Sequence, residues 1–207
     1  VDEKINDFIY SYNKDFNQNS VNVKCLCGSN QSKRLFYFDR YIQKSPTVVC
    51  KNCGLIYSNP RLNNIKIAEY YSSDLYRFLY EGNSVYLDQS KKLNLDDYKK
   101  IYNDEYISRK RIYNRLCTLI KNEKKLKILS IGPGHSFELL PFGMHGKLFG
   151  LDYSPKICDL GKEINVKMIQ GGIDKLENFK EKFDIIIMSH VVEHFYDFHK
   201  DFNEILK

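Results

Sequence analysis

The stretch Lys127-Ile128-Leu129-Ser130-Ile131-Gly132-Pro133-Gly134 decides the fold. Its apolar run is too short for a helix and ends at once in a Gly-Pro-Gly turn, so it reads as a buried strand. Three more runs of the same kind follow: Leu148-Phe149-Gly150-Leu151-Asp152, then residues 166–169, then residues 183–188. Helical signals lie between them. The Gly-Pro-Gly turn is expected to lead into a short helix around residues 136–140. Ser154 as N-cap with Pro155 at the first helical position starts another. A last helix is expected from about Asp197 to Leu206. Buried strands alternating with helices predict a doubly wound, Rossmann-like α/β sheet over residues 126–207.

Upstream of that stretch the pattern differs. Residues 1–20 are polar with scattered aromatics, a surface helix or a frayed end. Residues 35–38, 47–49 and 55–57 read as short strands, and Ser58-Asn59-Pro60-Arg61 as the turn that ends their module. Residues 63–80 look helical, with Ile65, Ile67, Tyr70, Tyr71 and Leu75 as apolar positions, until Glu81-Gly82-Asn83-Ser84 breaks the pattern. Residues 91–122 form a charged helix whose expected buried stripe is Ile107, Leu116, Cys117 and Ile120. Three segments result: a small module at 1–62, a helical linker or lid at 63–125, and the α/β domain at 126–207.

The 207 residues are 43% hydrophobic with a mean hydropathy of -0.49, enough for a packed core. No apolar run approaches the ~18 residues of a membrane helix. No basic-then-apolar leader opens the chain, so no signal peptide is expected. The net charge of +6 is uneven: residues 1–126 carry 22 basic and 14 acidic side chains, residues 127–207 carry 10 and 12. A basic front half suits an anionic partner or a solvated lysine surface.

Four of the six cysteines form two tight pairs, Cys25-Leu26-Cys27-Gly28 and Cys50-Lys51-Asn52-Cys53-Gly54. Cysteines one or three apart rarely satisfy disulfide geometry. Two such pairs about two dozen residues apart suit a tetrahedral thiolate site for zinc, and the glycine after each pair fits a knuckle turn that needs positive φ. The alternative is a set of reduced, metal-free thiols. Four thiolates leave no position for water, so the zinc would be structural. Such a site belongs in a reducing compartment, which makes a cytoplasmic location the expectation. Cys117 and Cys158 fall on apolar helix faces as buried thiols.

Open α/β sheets bind ligands at the carboxyl ends of their strands. Gly132 and Gly134 follow the first strand and let backbone approach a ligand, with N–H groups of a helix start beside them. Asp152 ends the second strand, where a carboxylate can accept both hydroxyls of a ribose. Gln170-Gly171-Gly172-Ile173-Asp174 follows the third and is placed to face an adenine.

Three ordered stretches resemble the motifs of class I S-adenosylmethionine-dependent methyltransferases: residues 128–134, Gly150-Leu151-Asp152-Tyr153-Ser154-Pro155, and residues 183–194, which end in Val191-Val192-Glu193-His194. The cysteine pairs, with Leu55-Ile56-Tyr57-Ser58-Asn59-Pro60-Arg61 and Glu69-Tyr70-Tyr71, resemble the zinc-knuckle-bearing methyltransferases of bacterial sugar and surface-glycan pathways. The resemblance implies S-adenosylmethionine as cofactor. Gly132 and Gly134 would lie against its methionine part, Asp152 would hold its ribose, Tyr153 would flank its adenine, and Ile173 and Asp174 would contact the adenine edge. His190 would line the methyl-transfer site. Three residues depart from the pattern: Ser130 stands where an acid is usual, Ser136 where a glycine is, and Gly172 where many relatives carry Asp. The family fold also adds three strands beyond the fourth, so the chain reads as C-terminally truncated, or as having its open edge covered by a partner or by its own front half.

Methyl transfer is an in-line displacement that depends on positioning, with a base needed only when the acceptor must lose a proton. His194 is the candidate base; the alternative is that Glu193-His194 is structural, with Glu193 capping or pairing near a helix start. Tyr71 and Tyr76 either lid the pocket or pack in the core. His135 is expected at the surface, and His145 and His199 are given no role. The expected function is methylation of a small molecule, a sugar or glycan precursor. Two alternatives stay open: a non-catalytic binding module on a degenerate scaffold, and an RNA methyltransferase with a zinc recognition finger. Against a nucleic-acid partner, the knuckle shows no Lys/Arg cluster interleaved with aromatics.

Overall fold

The structure is a computed structural model that describes residues 2–81, 93–120, 123 and 125–207. The expected helix break at Gly82-Asn83-Ser84 and the start of the expected 91–122 helix lie outside the described residues. The chain divides into two compact units, Val1–Leu87 and Asp88–Lys207. The stretch expected as one helical linker is thereby shared between them. Among the described residues no helix is long and apolar enough to cross a membrane.

In the first unit, helix α1 (Asp2–Asn19) carries Phe8, Tyr12 and Phe16 at i, i+4 spacing, which places them on one face. That face meets α2 (Asn64–Ser72) and α3 (Asp74–Glu81) through rings: Phe8 stacks on Tyr70 at 5.8 Å, and Tyr70 lies 4.9 Å from both Tyr12 and Tyr76. The polar ends of these rings are satisfied: Tyr70 donates to the buried Gln43 Oε1 at 2.7 Å and Tyr12 to the carbonyl of Lys44 at 3.1 Å. Tyrosine therefore serves as core here, and Tyr71 and Tyr76, 4.9 Å apart, belong to that packing. Ile65, expected on the inner face of α2, is instead exposed. Strands β1 (Ser20–Val21) and β5 (Arg61–Leu62) pair with each other. β2 (Ser32–Phe38), β3 (Lys44–Cys50) and β4 (Ile56–Ser58) form an antiparallel sheet in that order.

The second unit opens with α4 (Leu95–Ile101) and α5 (Asn103–Cys117). The buried positions of this pair are Tyr98, Tyr113 and Cys117, and Tyr106 packs edge-on against Phe137. Ile107 and Leu116, expected in the stripe, are exposed. The larger rings at 106 and 113 line up with Cys117 at helical spacing and turn those two aliphatics outward.

Four parallel strands follow: β6 (Leu126–Ile131), β7 (Gly146–Asp152), β8 (Val166–Gln170) and β9 (Ile185–Met188), in the order β8-β7-β6-β9. The chain moves outward from β6 through β7 to β8, then returns to the other side of β6. That reversal puts a switch point between β6 and β9. Alternate residues feed two cores. Ile128, Leu148, Val166 and Ile187 pack with Tyr113, Cys117, Leu139 and Phe142 on one face; Leu129, Ile131, Phe149 and Leu151 pack with Phe179, Phe195 and Ile205 on the other. Both faces are covered, as buried parallel strands require. Helix α6 (Pro155–Glu163) packs on β7 and β8, and α7 (Phe198–Ile205) belongs to the second face. Edge strand β9 has only four residues, which limits the backbone it leaves unpaired.

Candidate cofactor crevice and four-cysteine cluster

β6 and β7 end side by side, and their ends are tied by the Gly132 N–H, which donates to the Leu151 carbonyl at 2.7 Å. Gly132 and Gly134 have φ of 63° and 55°, the left-handed region where a side chain is costly. At Gly132 a side chain would also strike Val191 Cγ2 at 2.7 Å, whereas nothing lies within 4 Å of the position a Cβ would take on Gly134. The turn thus presents bare backbone to open space at Gly134.

The helix expected at residues 136–140 does not form. Turns follow instead, then a 3-10 helix at Leu140–Met144. Ser136 adopts φ 62°, outside the right-handed helical region, and Pro141 has no N–H to donate to a preceding turn. No helix N-terminus therefore faces the crevice at this loop. His135, expected at the surface, is buried: its ring stacks on Tyr102 at 4.1 Å, and Nδ1 lies 3.4 Å from Glu105 Oε2.

The same loop contributes a side chain that sequence reasoning missed. Glu138 is 3% exposed and accepts a hydrogen bond from the Ser130 hydroxyl in β6. Arg109 of α5 places Nη1 3.7 Å from Glu138 Oε2 and donates to the Ser189 hydroxyl just past β9. Burial pushes the Glu138 carboxyl up to about 7, against the opposing pull of the Ser130 bond and the Arg109 charge. Ser130 thus stands where the resemblance expects an acid, and it binds an acid brought from eight residues downstream. One signal pointed there: a lone Glu between Phe137 and Leu139-Leu140 is a carboxylate in an apolar run. Ser136 is buried with its hydroxyl unbonded.

On the β7 side, Asp152 is buried and its Oδ1 accepts from the Ser154 N–H at 2.8 Å. Ser154 in turn caps α6, with Pro155 in the first turn as expected. Tyr153 leans over the β8 loop so closely that a Cβ on Gly172 would sit 2.1 Å from its hydroxyl and 3.2 Å from Asp174 Oδ1. An Asp at position 172, common in the resembling family, would require the end of this tyrosine to move aside. Burial and the Asp174 charge both raise the Tyr153 phenol. Ile173 and Asp174 begin the 3-10 helix Ile173–Phe179. Asp152, Tyr153, Gly172 and Asp174 are therefore brought to one side of the crevice.

Past β9, His190 takes a left-handed backbone (φ 56°) with its side chain 80% exposed and Nδ1 3.7 Å from Glu193 Oε1. Val191 packs on Gly132, so this segment borders the glycine turn. His194 is exposed in the 3-10 turn Val192–His194. Glu193 caps no helix; the N-cap of α7 is Asp197, which accepts from the Lys200 N–H. Away from this end, a cavity of about 470 Å³ is lined by Lys147, Asn165, Lys167 and Glu181 near the starts of β7 and β8.

In the first unit the four paired cysteines converge, with all four Sγ atoms within 4.8 Å of one another. Cys25 and Cys53 are 3.5 Å apart, Cys27 and Cys50 3.7 Å. Zinc–sulfur bonds of ~2.3 Å in a tetrahedron put sulfurs roughly 3.8 Å apart, so these spacings fit a four-thiolate zinc site and are far too long for disulfides. Gly28 and Gly54 have φ of 84° and 78°, as the knuckle turns require. The Asn52 N–H and side-chain amide point at Cys50 and Cys27 sulfurs. The Ser29 backbone N–H and the Asn52 amide pull the Cys27 thiol down to about 6. Cys25, though helped by the Cys27 backbone, is pushed up to about 12 by burial and the neighbouring sulfurs. Four sulfurs this close share protons until a cation replaces them. Cys117 and Cys158 are buried, away from the cluster.

Residues 122–207 match the family model for a methyltransferase domain. That segment contains the whole parallel sheet and every loop of the crevice. Among solved structures, the chain is similar to the YcgJ protein of Bacillus subtilis, at 22% identity over 47% of this chain and 45% of that one, with a TM-score of 0.40. It is similar to the plantazolicin methyltransferase BpumL, solved with a pentazolic desmethylPZN analogue and SAH, at 16% identity over 70% of this chain and 56% of that one, with a TM-score of 0.42. It is also similar to magnesium protoporphyrin IX methyltransferase of Synechocystis PCC 6803 with bound SAM, at 19% identity over 71% of each chain, with a TM-score of 0.45. The chain spans about half the length of the first two structures. No curated protein matches its sequence.

Proposed function

We propose that this chain is an S-adenosylmethionine-dependent methyltransferase acting on a small molecule, a sugar or surface-glycan precursor, with a structural zinc in its first unit. The observation that carries the reading is Asp152. It is a carboxylate buried at the end of the second parallel strand, beside a glycine turn, within a segment that matches a methyltransferase domain. The residues present suit the cofactor. Gly134 offers backbone against open space for the methionine chain, and Asp152 suits the ribose. Tyr153 and Asp174 meet over Gly172, on the side where the resemblance puts the adenine, and Ile173 lies between Gly172 and Asp174 in the chain, packed against the core.

When bound, S-adenosylmethionine supplies an electrophilic methyl group on its sulfonium. The chain's own task is to hold the acceptor in line with it and to exclude water. His190 and His194, both exposed just past β9, are the imidazoles proposed to take a proton from an acceptor hydroxyl. The sugar class rests on the sequence resemblance of residues 25–80. The zinc rests on the sulfur spacings, and four reduced thiols fit the cytoplasm.

Calorimetry with S-adenosylhomocysteine tests the reading. The wild-type chain should bind, and Asp152→Ala should abolish binding while circular dichroism stays unchanged. No binding by a folded wild-type chain would favour the non-catalytic module. Methylation of RNA rather than nucleotide sugars by a binding-competent chain would move the acceptor class.

A further inference from the structure

Strand β2 carries four consecutive exposed apolar side chains, Leu35 to Phe38, the longest such run among the described residues. Phe36, Tyr37 and Phe38 are 63%, 61% and 50% exposed, and Leu35 is exposed too. The pattern is unusual for a sheet, because residues on both faces of the strand are open after Ser32. Register explains it. β2 is an edge strand, and its pairing with β3 slips between Arg34 and Phe36 and again between Phe36 and Phe38. Each slip twists the strand and disrupts the ladder. Phe36 pairs with Thr47, and Lys33 with Val49, which continues to the exposed Ile56 of β4. Phe36 thus adjoins a mixed face, with Thr47 and Ser58 in its own row and Lys33, Val49 and Ile56 in the next.

The charge around these rings has one sign. Residues 20–58 hold six basic side chains, Lys24, Lys33, Arg34, Arg40, Lys44 and Lys51, against the single acid Asp39. Lys24, Lys33, Arg34 and Lys51 are exposed and have no carboxylate partner among the described residues. The Arg34 guanidinium lies 4.7 Å over the Tyr37 ring, and that of Arg40 lies 4.8 Å over Tyr41. Cations therefore flank the aromatic run at both ends and rest on ring faces. The knuckle turns themselves carry no basic cluster interleaved with aromatics; the run between them, Lys33 to Tyr41, does, and β2 presents it to solvent.

We propose that β2 and the adjoining sheet face bind single-stranded nucleic acid, with bases stacking on Phe36, Tyr37 and Phe38 and phosphates held by Lys33, Arg34 and Arg40. Flat exposed rings take any base by its π face, and unpaired cations track the phosphate backbone. The seven-residue strand is ~23 Å long, room for several nucleotides. A protein partner adding a strand fits less well, because the two slips interrupt the backbone template such pairing needs. A lipid surface fits less well, because the rings open to both faces of the strand rather than to one. The proposal does not rest on the methyl-transfer reading.

The test is fluorescence anisotropy of a labelled 12-nucleotide oligouridylate with the zinc-loaded full chain at 50 and 200 mM salt. A duplex of the same length and vesicles of phosphatidylcholine with phosphatidylserine serve as comparisons. Single-strand binding should weaken at least tenfold in both Phe36→Ala/Tyr37→Ala and Phe36→Leu/Tyr37→Leu, since stacking requires the ring. Lys33→Ala/Arg34→Ala should lower the slope of log affinity against log salt by about 1.4. All three variants should keep wild-type circular dichroism and zinc content, because the side chains are exposed. No binding by the wild-type chain at 100 µM protein and 50 mM salt (a ceiling set on the scale of nonspecific affinities) overturns the proposal. So does binding indifferent to ring removal, equal preference for the duplex, or capture by vesicles alone.

Discussion

Replacing Glu138 by Gln keeps the size of the side chain and its place behind the glycine turn while removing its titration. The carboxyl has an ordinary value of 4.5 and is pushed up to about 7 in the fold by burial. A raised acid binds its proton more tightly folded than unfolded. Between the two values the folded state holds more protons, so stability falls as pH rises from 4.5 to 7 and is level on either side. The total is about 3 kcal/mol, with about 2.5 of it between pH 5 and pH 8. Arg109 and the Ser130 hydroxyl soften the cost of the charged form and are already included in that value. Glu138→Gln should therefore gain on wild type by about 2.5 kcal/mol more at pH 8 than at pH 5. Urea unfolding of both proteins, followed by circular dichroism at the two pH values, measures the difference of differences, in which every other titrating group cancels. A gap between the proteins that stays constant with pH would refute the reasoning, as would a Glu138 carboxyl carbon signal titrating near 4.5 by NMR.

Ser136→Gly should stabilise the second unit by about 1–2 kcal/mol, because it relieves a left-handed backbone and removes a buried hydroxyl with no partner; a thermal melt shifted downward would contradict it. Gly132→Ala should destabilise by about 1–3 kcal/mol, since φ is 63° and the new methyl meets Val191 at 2.7 Å. A companion Val191→Ala should restore part of that loss in the same denaturant titration. Chelation of zinc, or Cys50→Ser, should unfold the first unit while leaving the parallel sheet intact. Hydrogen exchange reads this out as lost protection in β3 with retained protection in β6; equal loss in both would be the contrary result.

The four parallel strands were legible because each is an apolar run bounded by turn residues, and a buried strand has few other ways to look. The cysteine knuckles were legible for a related reason: a metal site fixes both residue type and spacing. The position of Asp152 at the end of β7 was legible because the apolar run stops there. The helix after Gly134 was not, since its loss hangs on a left-handed Ser136, a conformation no residue preference announces. His135 is buried by Tyr102 and Glu105, some thirty residues away in sequence, and local polarity gives no hint of such partners. Glu138 belongs with them, being held by Ser130 and Arg109. Of the stripe expected on this segment, Cys117 is buried and Ile120 packs against the same core, but counting aliphatics put Ile107 and Leu116 where Tyr113 supplies the buried surface.

The turns that replace a helix after β6 have an electrostatic corollary. Aligned peptide units at a helix start act as roughly half a positive charge, the feature that draws pyrophosphate to many nucleotide sites. At the end of β6 that attraction is missing, and behind the loop the half-buried Arg109 faces the buried Glu138 carboxyl at 3.7 Å. The loop after β6 therefore offers an anionic group no helix dipole, and the helix start nearest to it is that of α6 after β7.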